Sequence, residues 1–168
     1  VLDKSNVYTL DGGILAAVLF SKNLGQNFNR GIDMLAVGTG ASGSSASPDI
    51  ADYRQRKLNT PLFRKTFSSR VYRDTNGDIS GVPTNIVDFT TTFESADAVG
   101  ALTEMGLMCT LSGTGENPSD FNQPTDNFPT RTLTNDITTS DILVNYLTFP
   151  VINKPSGAVL AITWRLTF

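Results

Sequence analysis

Histidine is absent from this 168-residue chain, and glutamate occurs only as Glu94, Glu104 and Glu116. Without imidazole the chain lacks the commonest general base, the usual activator of a serine or cysteine nucleophile, and the most frequent metal ligand. The lone Cys109 with carboxylates is a poor donor set for structural zinc. What remains is carboxylate chemistry, because two acids flanking a glycosidic bond suffice for its hydrolysis. Glu104, however, lies inside Leu-Thr-Glu-Met-Gly-Leu-Met at 102–108 and reads as structural, held by a backbone N–H or by an arginine such as Arg64. No catalytic residue, cofactor or metal ligand is assigned from the sequence.

Two further patterns imitate binding loops. Gly38-Thr-Gly40-Ala-Ser-Gly43 has the spacing of a dinucleotide-binding glycine loop. That mechanism needs a helix opening at the loop so that its N–H groups and dipole hold a pyrophosphate, and residues 44–48 are a poor helix start. A turn between strands is the better reading. Asp74-Thr-Asn76-Gly-Asp78 begins like a calcium loop, but the sixth and twelfth positions carry Ile79 and Asn85 where Gly and Glu are needed. The Asn-Gly pair instead predicts a hairpin turn.

Basic residues cluster: Arg54, Arg56, Lys57, Arg64, Lys65, Arg70 and Arg73 supply seven of the thirteen positive charges. Solvated or internally paired charge explains most of such a run, and contact with an acidic neighbouring subunit is the functional alternative. Nucleic acid is not the expected partner, since the chain carries a net charge of −3 and offers few stacking aromatics beside the cluster.

These residues need a scaffold, and the composition favours an extended one. Only 17% of residues are charged, and polarity comes from Thr, Ser and Asn, which suit pleated surfaces and turns. Cys109 is expected to be a buried small apolar residue in a strand, so the fold must stand without a disulfide, consistent with assembly in a reducing cytoplasm. No stretch approaches the ~20 apolar residues of a membrane helix, and no basic region precedes the first apolar run. Neither a membrane span nor a secretion signal is expected.

Residues 1–10 read as an arm or edge strand, and the apolar run 14–20 behind Asp11 as a short helix. Strands are predicted at 32–37, 62–73, 85–93, 102–111, 130–133, 142–151 and 158–168, with Pro150 at a strand edge or end. Residues 38–48 should form an exposed loop, and 49–59 a helical turn. In the strand 85–93, Val87, Phe89, Thr91 and Phe93 form the inward face; in the last strand, Leu160, Ile162, Trp164, Leu166 and Phe168 do so. The proline-punctuated stretch 112–129 is a long loop of the kind that is functional when retained in a small fold. The expectation is a single domain over 1–168: a mainly β, antiparallel β-sandwich of about seven or eight strands with one short N-terminal helix, an N-terminal arm and the loop at 112–129.

The order of a Gly-Thr-Gly turn at 38–40, a Leu-x-Arg strand at 62–64, Glu104-x-Gly-Leu and a closing Thr-Trp-x-Leu-x-Phe at 163–168 resembles small structural virion proteins of tailed bacteriophages, of neck, tail, baseplate or capsid-associated type. The resemblance implies a non-enzymatic virion protein, assembled in the host cytoplasm, whose partners are other virion structural subunits in a symmetric homo-oligomeric assembly. On that reading Arg54, Arg56 and Lys57 are subunit-contact candidates, and Phe121 and Phe128 apolar anchors on the long loop. The neck or tail is the first expected location, and capsid decoration or fibre attachment the alternative. A carbohydrate- or receptor-binding β-sandwich module is the reading from another class, weakened because Trp164 belongs to a core pattern.

Overall fold

The computed structural model describes residues 7–21, 31–41, 43–44, 47–110 and 141–168. In chain order the described elements are β1 (Val7–Tyr8), α1 (Leu10–Ser21), β2 (Met34–Gly38), β3 (Gly43–Ser44), β4 (Ser47–Pro48), β5 (Pro61–Thr66), β6 (Ser69–Arg73), β7 (Ile86–Phe93), β8 (Gly100–Cys109), β9 (Ile142–Lys154) and β10 (Leu160–Thr167). They form a five-stranded sheet, β1-β9-β8-β2-β5, a three-stranded sheet, β10-β7-β6, and the small ribbon β3-β4. All strand pairs are antiparallel. The chain is therefore a mainly β, antiparallel sandwich with one short helix.

Alternation drives this arrangement. Val87, Phe89, Thr91 and Phe93 are all buried on one face of β7, and Trp164 and Leu166 on the same face of β10. They meet Leu35, Val37, Phe63, Leu102, Leu107 and Phe149 of the five-stranded sheet in one apolar cluster. Phe63 and Phe93 cross that interface edge to face, with ring centroids 5.8 Å apart. The opposite face of the larger sheet is also covered. There Leu58 and Ala51, on the connection before β5, lie over Met34, Ala36, Met108, Leu143 and Tyr146.

The helix forms where expected, but its start is set by Thr9 and not by Asp11. The Gly12 N–H donates to Thr9 Oγ1 at 2.9 Å, an N-cap bond. Asp11 lies buried in the first turn, where the helix dipole favours an anion, with Arg56 3.9 Å away. Leu15 packs with Cys109, Ile142 and Val144, so the cysteine is a buried strand residue as read. No described helix is long and apolar enough to cross a membrane.

Four expectations need correction. The single strand over 62–73 is two, β5 and β6, in different sheets. Phe67, stacked on Phe89 at 4.8 Å, and Ser68, whose N–H donates to Thr90 O at 2.8 Å, carry the chain across. The backbone bends at Ser68, and the alternation over 62–73 does not register that bend. Pro150 does not end its strand; β9 runs on to Lys154, and the register with β8 shifts between Leu102 and Glu104, opposite the proline. A bulge tolerates the missing N–H. Residues 49–59 contain a turn closed by Gln55 N to Asp52 O at 3.0 Å, with no helix. Phe168 follows the inward alternation of β10 yet is 72% exposed, one residue past the end of that strand.

The hairpin turn at 74–78 forms as read. Asp74 Oδ1 accepts the N–H groups of Asn76 and Asp78, each at 2.9 Å, and Gly77 adopts φ 89°. Its return is limited to a bridge between Arg73 and Ile79. Residues 1–6, the loop 112–129 with Phe121 and Phe128, and the strand expected at 130–133 lie outside the described residues.

Candidate functional site

Three of the segments singled out in the sequence close on one side chain. Glu104 stands on β8, is fully buried, and faces the turn after β2 and the entry to β5. Its Oε1 accepts the N–H of Gly40 at 3.0 Å and of Thr60 at 2.8 Å. Its Oε2 accepts the Asn59 N–H at 2.9 Å and the Tyr146 hydroxyl at 2.7 Å. Every hydrogen-bond partner of the carboxylate is thus a donor. Burial, reinforced by the hydrogen bond to Glu104, pushes the Tyr146 phenol well above its ordinary value, so it remains the donor.

The glycines are required by this closure. A Cβ on Gly38 would lie 2.7 Å from Glu104 Oε1 and 2.5 Å from Thr60 O, and one on Gly40 would lie 2.7 Å from the same Oε1. The glycine segment is a turn after β2, as read, and its Gly40 N–H donates to the chain's own Glu104 carboxylate and not to a bound phosphate group. Gly38 is correspondingly buried and Gly40 half-buried, which corrects the fully exposed loop expected at 38–48. Gly106, two residues along β8, serves the outer face, where a Cβ would meet Asn145 O at 2.8 Å.

Seated this way, Glu104 is fully buried, with no oxygen turned to solvent. The backbone N–H partner expected for it is correct, and Arg64 is not its partner. Arg64 reaches Asp141 at 2.6 Å, both side chains being buried. Asp33 lies in the same region, its carboxyl raised by burial and, less strongly, by Asp141, against hydrogen bonds from the Thr110 N–H and hydroxyl that lower it.

The basic cluster disperses. Lys65 pairs with Asp97 at 2.7 Å. Burial alone would raise Asp97, but the Lys65 hydrogen bond and the Glu94 N–H bring it below the ordinary value. Arg73 and Arg165 clamp the buried Asp88 from both neighbouring strands at 2.9 and 2.7 Å. The Arg165 hydrogen bond is the main reason the Asp88 carboxyl is lowered. Arg70 lies over Phe67 at 5.1 Å, and Arg54 over Tyr53 at 5.2 Å. Of the contact candidates, Arg54 and Lys57 are exposed, while Arg56 is half-buried and turned to Asp11.

The surface feature missed by the sequence reading is a cleft of about 1020 Å³ between α1 and the three-stranded sheet. Tyr8, Leu19, Phe20, Tyr72 and Phe168 line it, with Arg70 and Arg165 among its charged residues. Phe20 is 87% exposed and Phe168 72%. The only sequence signal for it was a large aromatic at the end of the helical run, which fits equally well into a core. Trp164, as expected, is buried. No protein-family model matches the chain, and no curated protein sequence matches it.

Proposed function

We propose that this chain is a non-enzymatic structural component of a tailed-phage virion that binds neighbouring subunits in the neck, tail or baseplate, with capsid decoration or fibre attachment as the alternative placement. The observation that supports binding over turnover is the cleft and its rim, where Tyr8, Leu19, Phe20, Tyr72 and Phe168 expose apolar surface together. Large apolar side chains gathered at one surface favour a protein partner. The anchored Glu104 adds to this reading: the segments that carry the virion resemblance serve to lock loops onto the sheet. Weak surface charge is better tolerated in a permanent assembly than in a free monomer. Many identical copies make modest contacts durable through multivalency.

Sedimentation of the purified chain over a concentration series, followed by electron microscopy, tests the reading. Rings or closed oligomers are expected for a neck or tail part. A monomer at every concentration favours a role that needs a preformed partner. The same aromatic rim supports a second reading, a carbohydrate- or receptor-binding module, because exposed Tyr72, Phe20 and Phe168 can stack on sugar faces. Saturable binding on a glycan array would establish that reading in place of the structural one.

A further inference from the structure

We infer that the outer edge of β10 is a self-pairing strand whose partner is β10 of a second copy of this chain, antiparallel across a two-fold axis beside Trp164. The inference rests on the proposal that the chain assembles with neighbouring subunits and assigns that role to one surface.

β10 is an outermost strand, paired only with β7 among the described residues. The Phe168 N–H donates to Asn85 O at 2.9 Å, which places the even-numbered positions of this strand in hydrogen-bonded pairs with the β7 side. The N–H and C=O groups of Ala161, Thr163, Arg165 and Thr167 therefore point away from the sheet. Thr90 gives the same parity independently. Its carbonyl accepts the Ser68 N–H at 2.8 Å on the β6 side, so its cross-strand neighbour Thr163 bonds outward.

Among the described residues nothing covers this edge, and Arg165 is its one charged side chain. Its register with β7 runs from Leu160 opposite Phe93 to Thr167 opposite Ile86 without a shift, and it contains neither proline nor lysine. The other edges are blunted: β1 has two residues, β5 opens on Pro61, and β6 is met by its own return, where the Ser80 N–H donates to Tyr72 O at 2.9 Å. An eight-residue edge of unbroken register is a template for strand addition.

The strand is also complementary to itself when reversed. With Trp164 opposite the partner's Trp164, Ala161 meets the partner's Thr167 and Thr163 meets the partner's Arg165, so every outward backbone group is bonded. On the inner face Ile162 meets the partner's Leu166, and Leu160 meets the partner's Phe168, covering an exposed aromatic. No like charges stand directly opposite one another, and Arg165 is paired with Asp88 at 2.7 and 2.9 Å. Such an isologous contact closes as a dimer.

The test is sedimentation velocity on the full chain as wild type, Thr163→Pro, Thr163→Lys and Thr163→Glu, each checked for an unchanged unfolding midpoint. Proline at this position removes an outward N–H and no main-chain bond to β7, while the Thr163 hydroxyl's bond to Thr90 Oγ1 at 3.0 Å is lost in all three variants alike. Lysine sets two like-charge contacts against Arg165 of the partner subunit, and glutamate sets two attractive ones. The expected result is a concentration-dependent wild-type dimer, monomeric Thr163→Pro, and Thr163→Lys dissociating at about tenfold higher concentration, with Thr163→Glu tighter than Thr163→Lys. If the proline variant does not fold, the order of the Lys and Glu variants decides. A dimer unaffected in all three variants overturns this surface and leaves the assembling role standing. Equal weakening by Lys and Glu overturns the antiparallel partner. A wild-type chain that stays monomeric overturns self-pairing, while its recovery in virions would test the assembling role separately.

Discussion

Glu104 shows why one buried carboxylate can outweigh many surface charges. Each of its oxygens accepts two donors, three of them main-chain N–H groups. Glu104→Gln replaces one oxygen by an amide nitrogen that donates into N–H groups already facing it. It is expected to lower stability by about 3 kcal/mol, against about 1.5 kcal/mol for Tyr146→Phe, which leaves both oxygens bonded to amides. Urea unfolding midpoints at constant slope give the comparison. The Arg64–Asp141 pair provides a second residue-scale test. Arg64→Met removes the buried cation 2.6 Å from Asp141 and should cost about 3–5 kcal/mol, while adding Asp141→Leu should restore part of the loss. A double-mutant cycle that is additive would show that the pair is not coupled. The structural role of Glu104 was legible from its apolar flanks. Its partners were not, because Asn59, Thr60 and Tyr146 are brought to it only by strands distant in sequence.

The three-stranded sheet owes its acid response to β7 and its two neighbours. Asp88 is lowered mainly by the Arg165 hydrogen bond and also by Arg73, one from each flanking strand. Its stabilising contribution is complete above the unfolded carboxyl value of about 4 and is lost as pH falls through the lower folded value. Asp97 acts in the same direction, whereas Asp33, raised by burial, is relieved by protonation and opposes them. Stability measured between pH 2 and pH 6 should fall on the acid side, and Asp88→Asn should flatten that fall. An unchanged acid limb would remove the clamp from the account. In β10, Trp164→Ala is expected to cost about 4 kcal/mol by leaving a cavity between the sheets. The strands themselves were legible where one face is buried, as in β7 and β10, since a two-residue period survives any partner. The crossing at Phe67 and the bulge at Pro150 were not, because a bend at Ser68 and a shift in register leave the flanking alternation readable as one strand.

At the scale of the whole molecule, the apolar cluster between the sheets draws on both, so the described strands are expected to unfold together in one transition seen alike by fluorescence and circular dichroism. The cleft beside α1 makes no such contribution. Phe20→Ser should leave the unfolding midpoint within about 0.5 kcal/mol of wild type, since the side chain is 87% exposed. It should nevertheless weaken binding to a neighbouring subunit if the rim is a contact. Retained assembly in that variant would move the contact elsewhere. The amino-acid sequence by itself determined the β class, the helix at the N-terminal side, the hairpin at Asn76-Gly77, the inward faces of β7 and β10, and a surface of low charge. Each of these follows from local propensity or from a period carried within one segment. Only the tertiary structure decided which strands share a sheet, that the glycine loop closes on Glu104, that the basic cluster is divided among Asp11, Asp88, Asp97 and Asp141, and that Phe20 and Phe168 remain outside. Those outcomes depend on which distant segments meet, and pairing between distant segments leaves no mark in the spacing of either one.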